Sequence, residues 1–302
     1  MSLRKEKYLK YKESDTVAKL AYIDELSGDE ITHLFYEVLN DGINGFCFSM
    51  YEEGQKPGDI ISKDQIHRRM LKLEPHTQAI RSFSCTEGNE LVPIVAKELG
   101  MTTLVGAWLG SDKEKNKEEI DGLIKLAKEG YVDIAAVGNE VLYRDDLTEE
   151  ELIEYIQYVK SELKDIPVGY VDAYYEFVER PAITDLCDVI LCNCYPYWEG
   201  TSFQDSFQHM RQMYYQAKEA AGDDKRVIIT ETGWPSQGEG LGGALPGKEQ
   251  AMKYFINANL WCHDEDIEIF YFSSFDESWK VSDEGEVGAY WGVWDKNGEL
   301  KF

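Results

Sequence analysis

Eight short apolar runs recur along the chain at a regular interval. Their first residues lie between positions 43 and 267 and are on average 32 residues apart, close to the roughly 30 residues that one β-α-β unit occupies. The runs span residues 43–51, 78–85, 102–109, 132–141, 167–173, 187–195, 226–232 and 267–275. Because these runs are apolar enough to be buried on both faces, we expect them to form the strands of a parallel sheet.

The segments between the runs carry apolar residues at helical spacing, and two of them begin with a capping-box pattern. These patterns are Ser111-x-x-Glu114 and Thr148-x-x-Glu151, and Pro181 interrupts the helix after the fifth run. Eight strands alternating with helices predict an α/β fold, a single-domain (β/α)8 TIM barrel, which needs roughly 250 residues. An open doubly wound sheet is disfavoured because the first β-α turn has no phosphate-binding glycine pattern.

The first 40 residues precede this pattern. We expect residues 1–40 to form a helical extension and residues 41–302 to form the barrel. Ser27-x-x-Glu30 is a capping-box pattern, and the apolar residues that follow predict a helix that ends near Gly42. The sequence assigns this helix no function beyond packing under the first strand.

The charge of the chain excludes two classes of partner. The 57 acidic and 31 basic residues give a net charge of -26, and an anionic surface repels nucleic-acid phosphates and anionic lipid. No apolar run approaches the roughly 20 residues of a membrane span. We therefore expect neither nucleic acid nor a membrane as a partner, and the sequence leaves the oligomeric state open.

The ends of the chain and its cysteines bear on location. Residues 1–14 are charged and contain no apolar core of a signal peptide. The six cysteines lie mostly within apolar runs, which predicts free, buried thiols in a reducing compartment. We expect a cytoplasmic location, although a secreted or periplasmic chain whose leader has been removed would look the same.

Two of the strands end in a glutamate. Glu140 follows the fourth apolar run and Glu231 lies in the seventh, beside Gly233 and Trp234. In a barrel the carboxyl ends of all strands meet at one face, so we expect these two acids to share one active site. Cleavage of an acetal requires a proton for the leaving oxygen and a group that stabilises or attacks the carbon it leaves. Two carboxyl groups supply both. The pattern therefore predicts a sugar-cleaving site.

No histidine lies at this predicted face, so we expect no metal. The glycine-rich segment 238–243 matches G-x-G-x-x-G, but it neither ends a strand directly nor opens a helix, so we expect no dinucleotide and no other cofactor. A flexible loop over a sugar cleft is the more plausible interpretation of residues 233–247.

Other strand-end residues have two interpretations each. Arg81 is either a substrate ligand or a partner that orients Glu231. Asp172 either lines a subsite or caps the next helix. Glu277 and Lys280 either reach the sugar or only pair with each other.

Six further side chains are candidate sugar contacts. Asn139 could hydrogen-bond the sugar 2-hydroxyl, and Tyr195 could donate to Glu231 and keep it ionised. The remaining candidates are aromatic residues at strand ends that offer a stacking face, as sugar sites commonly do. They are Tyr51, Trp234 and Trp279, with Trp198 as a further possible acceptor platform.

Several motifs carry a family resemblance. Residues 136–141 (AVGNEV) and 230–236 (TETGWPS) resemble the two signature stretches of glycoside hydrolase family 17, the β-1,3-glucanase family. Residues 275–280 and 288–295 look like its last-strand and C-terminal motifs. Residues 48–57 and 80–83 look like its bacterial branch. The resemblance is collinear from about residue 43 to the C-terminus.

This resemblance implies a (β/α)8 barrel and a retaining mechanism on β-1,3-glucan. It carries over Glu140 as the general acid/base and Glu231 as the nucleophile, with Asn139, Tyr195 and Trp279 as substrate contacts. It implies no metal and no organic cofactor. Three functions follow as hypotheses: a hydrolase first, a transglycosylase that shares the same intermediate second, and a non-catalytic glucan-binding barrel third.

Overall fold

The computed structural model describes residue 23 and residues 25–302. Eight parallel strands form a closed barrel in sequence order, with β8 paired to β1. The strands are β1 (Ile43–Cys47), β2 (Thr77–Ser82), β3 (Thr102–Ala107), β4 (Ile134–Asn139), β5 (Val168–Ala173), β6 (Val189–Asn193), β7 (Arg226–Thr232) and β8 (Ile269–Tyr271). The predicted (β/α)8 barrel is confirmed.

The helices surround the barrel. They are α1 (Gly28–Asp41), α2 (Lys63–Met70), α3 (Leu91–Glu98), α4 (Lys113–Lys128), α5 (Glu149–Glu162), α6 (Tyr174–Glu179), α7 (Pro181–Leu186), α8 (Phe203–Ala221), α9 (Lys248–Asp264) and the short α10 (Val281–Glu284). Within residues 28–302, 3₁₀ turns lie at Glu74–His76, Ser278–Lys280 and Glu286–Tyr290. Pro181 opens α7 and divides the segment after β5 into two short helices, as its position predicts.

The first and last strands are shorter than their apolar runs. The chain leaves the sheet after Cys47 and, in the last unit, after Tyr271, although the residues that follow stay buried. Phe48 still donates its backbone N–H to the carbonyl of Arg81 in the neighbouring strand β2, at 3.0 Å. An apolar run therefore indicates burial here, and it overestimates how far the strand extends.

Helix α1 belongs to the outer layer of the barrel. Phe35 packs on Phe255 of α9 at 4.9 Å between ring centroids and on the C-terminal Phe302 at 5.0 Å. On its other side, His76 Nδ1 lies 3.2 Å from the carbonyl of Leu39. Helix α1 thus fills the gap between α9 and the turn before β2, where a helix after β8 would otherwise lie. Residues 1–22 and 24 lie outside the described residues, and the division at residue 40 stays a prediction.

One of the three predicted capping boxes is present in the structure. The Thr148 side chain accepts from Glu151 N, and the Glu151 side chain accepts from Thr148 N, at the start of α5. Ser27 precedes α1 without a side-chain cap hydrogen bond. At α4 the cap is Asp112, which accepts from the N–H groups of Glu114 and Lys115, because the helix begins one residue later than the pattern predicts.

All six cysteines are free and buried, as the sequence predicts. Cys192 and Cys194 lie on the same side of the chain with their sulfurs 3.9 Å apart. Across residues 25–302, none of the helices combines the length and the apolar character that crossing a membrane requires.

The C-terminal segment is joined to the barrel by a buried ion pair. Lys301 Nζ lies 2.7 Å from Asp276 Oδ1, and the N–H of Gly292 donates to the same oxygen at 2.9 Å. Burial raises the pKa of Asp276 to about 6, against the opposing effect of Lys301. The pair holds the segment after β8 against the last residues of the chain.

Replacing Lys301 by Met should destabilise the protein by about 3 kcal/mol, because it leaves Asp276 buried without its cation. The loss should be smaller at pH 5 than at pH 8, since protonation of Asp276 removes the unpaired charge. Urea unfolding at both pH values measures this. Lys296→Met is the matched control, because Lys296 pairs with Glu53 at the surface and its loss should cost about 1 kcal/mol or less. Equal losses for the two variants at pH 8 would contradict the assignment.

Candidate active site

Glu140 and Glu231 meet at the carboxyl ends of the strands, at the wall of a cavity of about 500 Å³. Most of this wall is formed by the ends of strands β8, β1, β2, β3 and β4 and by the loops that follow them. The predicted site residues that line it are Tyr51, Asn139, Glu140, Glu231, Glu277, Trp279 and Lys280. The sequence prediction that the two acids share one site agrees with this geometry.

The side-chain amide of Asn193 joins the two acids. Its Nδ2 donates to Glu140 Oε1 at 2.8 Å and to Glu231 Oε1 at 3.1 Å. Thr230 Oγ1 donates to Oδ1 of this amide at 2.9 Å, which fixes the end that faces the acids. The two acceptor oxygens are therefore at most about 6 Å apart, the sum of the two distances.

Glu231 is surrounded by hydrogen-bond donors. Arg81 Nη1 donates to Oε1 at 2.6 Å, and Tyr195 OH donates to Oε2 at 2.8 Å. Arg81 is 2% exposed and also donates to Asn139 Oδ1 at 2.6 Å. Of the two interpretations of Arg81, the structure therefore favours the partner that orients Glu231. Donors on both oxygens stabilise the carboxylate form of the side chain.

Glu140 has a different environment. Burial, and after it the negative charge of Glu231, raise its pKa to about 7, while Asn193 and Arg144 act in the opposite direction. Cavity solvent still reaches the Glu140 side chain, which is partly exposed. Around neutral pH, Glu140 can thus release or take up a proton beside a carboxylate that is held by donors.

The backbone aims Glu140 into the cavity. Gly138 and Glu140 both have positive φ, 84° and 53°, and the β4–β5 register shifts between Ala136 and Asn139. The N–H of Glu140 donates to the carbonyl of Val171 at 2.7 Å. Such irregularities re-aim side chains at strand ends, and glycine adopts positive φ at little steric cost.

Asp172 supports the loop that carries Glu140. It is fully buried, and it accepts from the hydroxyl of Tyr170 and, at 3.4 Å, from the N–H of Tyr143. Tyr170 OH in turn accepts from the N–H of Leu142 at 3.0 Å. Burial raises the pKa of Asp172 to about 8. Asp172 does not line the cavity, so the predicted subsite role is wrong. Its Oδ1 accepts from the N–H of Ala173, the residue that precedes α6, at 2.7 Å.

The side of the cavity near β8 and β1 contains four of the predicted residues. Glu277 Oε2 lies 2.8 Å from Lys280 Nζ, and Glu277 Oε1 accepts from Trp279 Nε1 at 3.1 Å. Tyr51 packs edge-on against Trp279, with 5.9 Å between ring centroids. Glu277 and Lys280 therefore pair with each other and also face the cavity.

Trp234 is a core residue, contrary to the prediction. Its indole is 1% exposed, packs between Tyr197, Phe203 and Tyr254, and donates Nε1–H to the carbonyl of Leu245 at 3.0 Å. The turn after β7 directs it away from the cavity. It therefore cannot stack on a sugar. Trp198 likewise packs against Trp291 and does not line the cavity.

The loop 233–247 does not cover the cavity. Gly243 N–H donates to the carbonyl of Gly200 at 2.8 Å, and Gly238 packs against Val287. None of its residues lines the cavity, so the prediction of a loop over the cleft is wrong. The five histidines also lie away from the cavity. In the part of the chain that the structure describes, no three His, Cys, Asp or Glu side chains are grouped to hold a metal.

The sequence reasoning missed four residues of the site. Asn193 is one amide within the apolar sixth run, and a polar residue that breaks such a run is the signal that could have identified it. Glu119 lies on helix α4 and Arg144 lies in the loop after β4. Charged side chains are common in both settings, so neither residue stands out in the sequence. Trp108 is visible as a strand-end aromatic, but nothing in the sequence gives it a role.

Comparison with known proteins agrees with this geometry. A family model for the BtgE/BtgC glycoside hydrolase domain matches residues 45–292. The chain belongs to this family. It is thereby a member of glycoside hydrolase family 17 and an enzyme of the glycosidase type.

Three relatives illustrate the match. Glucan 1,3-beta-glucosidase BGL2 of Candida albicans is 29% identical over 76% of this chain and 82% of its own length. The probable family 17 glucosidase SCW4 of Saccharomyces cerevisiae is 31% identical over 83% of this chain and 65% of its own length. A Rhizomucor miehei beta-1,3-glucanosyltransferase in complex with laminaritriose superposes with a TM-score of 0.77 at 27% identity, over 87% of this chain and 96% of that one.

The relatives correct one expectation. The likeness of residues 48–57 and 80–83 to the bacterial branch of the family predicts that the chain belongs to that branch. That interpretation is not supported, because the homologues are fungal.

Replacing Asn193 by Ala should lower kcat/KM for glycoside cleavage roughly tenfold to a hundredfold, because each hydrogen bond to a charged group contributes about 1.5–3 kcal/mol. It should also shift the pH profile. Activity that needs protonated Glu140 falls as pH rises through a pKa of about 7. Asn193 lowers that pKa, so its loss should move the falling limb to higher pH.

The pH dependence of kcat/KM measures this shift. Asn259→Ala is the control for loss of a buried amide, because Asn259 lies on α9 and donates to the carbonyl of Phe255 within its own helix. A purely structural role for Asn193 would lower activity without moving the pH limb, and that result would contradict the assignment.

Proposed function

We propose that this protein is a retaining glycosidase that cleaves β-1,3-glucosidic bonds through a covalent glucosyl-enzyme intermediate. The observation that carries the proposal is the amide of Asn193, which binds both acids and limits the distance between their oxygens to about 6 Å. Retaining glycosidases hold their carboxyl groups about 5–5.5 Å apart, whereas inverting enzymes need about 6.5–9.5 Å to admit a water molecule.

In the first step, a carboxylate oxygen of Glu231 attacks the anomeric carbon of the donor glucose, and the bond from that carbon to the leaving oxygen breaks. Glu140 gives its proton to the leaving oxygen. Because Asn193 donates to Oε1 of Glu140, Oε2 is the oxygen that carries this proton in our proposal. The raised pKa of Glu140, about 7, keeps it protonated in weakly acidic to neutral solution.

In the second step, a hydroxyl group attacks the anomeric carbon and the bond to Glu231 breaks. Glu140, now ionised, takes the proton of the attacking hydroxyl group. The departing carboxylate of Glu231 regains its hydrogen bonds from Arg81 and Tyr195. The same donors that hold Glu231 before attack thus stabilise it as a leaving group.

The choice of β-1,3-glucan rests on the relatives. Their names describe glucan 1,3-beta-glucosidases and a beta-1,3-glucanosyltransferase with laminaritriose bound. The cavity is compatible with a glucan, since it offers the carboxyl groups, the amide of Asn139 and the rings of Tyr51 and Trp279. In this proposal Asn139 contacts the 2-hydroxyl of the donor sugar.

Transglycosylation is the second candidate function. It shares the intermediate on Glu231 and differs only in whether water or a sugar hydroxyl resolves it. The Rhizomucor miehei glucanosyltransferase favours it, because 87% of this chain superposes on that enzyme.

The cytoplasmic location stays a prediction, and the six free, buried thiols are its support.

Azide should separate the roles of the two acids. Glu231→Ala should lose activity to background. When this variant is given azide and an activated aryl laminaribioside, it should form the α-glycosyl azide, because azide attacks in place of the missing nucleophile. Glu140→Ala should lose roughly a hundredfold to ten-thousandfold on unactivated substrate. With azide it should yield the β-glycosyl azide, because azide then resolves the intermediate on Glu231.

Glu231→Gln and Glu140→Gln are the near-isosteric controls for folding. NMR of the azide products assigns their configuration. The opposite configurations would reverse the assigned roles. Full activity in Glu231→Ala would contradict the retaining mechanism.

Products from laminari-oligosaccharides of defined length separate the two candidate functions. Wild-type protein should give products shorter than the substrate, and Glu231→Gln should give none. Mass analysis at millimolar substrate detects products longer than the substrate, which would move the assignment to transglycosylation. No turnover by the wild type would contradict the proposed linkage.

A further inference from the structure

Trp108 is an exposed aromatic residue at the wall of the active-site cavity. It follows the last residue of β3, its side chain is 42% exposed, and it lines the cavity together with Glu140. Buried aromatic residues near the site, such as Trp234, are accounted for by core packing. Core packing does not account for Trp108, because so large an apolar surface is left open to the cavity.

The position of Trp108 is fixed by charged groups beneath it. Its backbone N–H donates to Glu119 Oε2 at 3.0 Å, and Glu119 is 1% exposed although it is a charged residue of α4. The guanidinium of Arg144 lies 4.7 Å from the centroid of the indole ring, within the range of a cation–π contact. The ring is thus held in place without being covered.

Arg144 also connects Trp108 to the proposed acid. Its Nη1 donates to the carbonyl of Asn139, the residue before Glu140, at 2.6 Å. Strands β3 and β4 are neighbours, with Ala107 opposite Val137. Trp108 therefore lies on the Glu140 side of the cavity. Arg81 and Asn193, which donate to Glu231, are buried beneath the cavity.

We propose that Trp108 is the platform of the leaving-group subsite, on which a glucosyl ring of the departing or accepting sugar stacks. The inference rests on the proposed function. In a retaining mechanism the acid protonates the oxygen that joins donor and leaving sugar, so the leaving sugar lies on the acid side. The donor sugar occupies the floor beside Glu231. An exposed indole offers an apolar face to the C–H face of the sugar.

This role predicts that Trp108 matters only when a sugar occupies that subsite. β-Laminaribiosyl fluoride supplies the test, because its leaving group is a fluoride ion. Glu231 displaces fluoride from the anomeric carbon, and water then resolves the intermediate with Glu140 taking its proton. A laminari-oligosaccharide must instead place a sugar on Trp108 before it is cleaved, and so must an acceptor before transfer.

The experiment compares wild type, Trp108→Ala, Trp108→Phe and Tyr158→Ala on both substrates. Tyr158 is a matched control, since it is 48% exposed on α5 and does not line the cavity. Trp108→Ala should lower kcat/KM for laminari-oligosaccharides on the order of tenfold and leave fluoride hydrolysis unchanged. Trp108→Phe should keep part of the activity, and Tyr158→Ala should match the wild type on both substrates.

In a second readout, laminaribiose is added as an acceptor to the reaction with β-laminaribiosyl fluoride. The ratio of transfer product to hydrolysis product should fall in Trp108→Ala by a similar factor, because the acceptor loses its platform. Equal losses on fluoride and oligosaccharide would overturn the proposal, and so would an unchanged ratio. If the wild type cleaves neither substrate, the proposed function itself fails, and that result is distinct from any result with the variants.

Discussion

Two carboxyl groups share the mouth of this barrel, and the rest of the site is arranged to permit it. Like charges a few ångströms apart in a low dielectric cannot both be ionised without support. Arg81, Tyr195 and Asn193 donate to Glu231, whereas burial and the charge of Glu231 raise the pKa of Glu140 to about 7. These opposite environments fit the proposed retaining mechanism, in which Glu140 donates the proton and Glu231 is the nucleophile.

Small irregularities of the barrel produce this arrangement. The register shifts in β4 and β6 lie next to Asn139 and Asn193, and the second shift places Asn193 opposite Glu231. A regular sheet would alternate these side chains between the barrel interior and the helix layer. The shifts, together with positive φ at Gly138 and Glu140, turn polar groups of neighbouring strands toward one cavity. Behind them, Asp172 and Glu119 accept hydrogen bonds from the loops after β4, β2 and β3.

The outer layer shows how the chain closes the barrel although the helix after β8, α10, is short. Helix α1 packs on α9 and on Phe302, and the ion pair of Lys301 with Asp276 holds the C-terminal segment to the loop after β8. That loop carries Glu277, Trp279 and Lys280, which face the cavity. The contacts of the C-terminal segment therefore also hold a loop that shapes the cavity.

Much of this molecule is determined by its sequence. The 32-residue interval of apolar runs fixes eight β-α units, and such units close into a barrel because buried parallel strands leave no free edge. Since the carboxyl ends of all strands meet at one face, Glu140 and Glu231 also follow from the sequence. These features depend on periodicity and on position along a strand, which a single chain displays directly.

Only the tertiary structure decided which neighbouring side chains take part. Trp234 and Trp108 are both tryptophans at strand ends, yet a turn buries the first in the core and leaves the second open beside Arg144. Asn193 binds both acids because a register shift places it between them, and Asp172 turns to the loop behind the site. The orientation of a side chain at a strand end depends on contacts between residues far apart in sequence, and periodicity contains no information about those contacts.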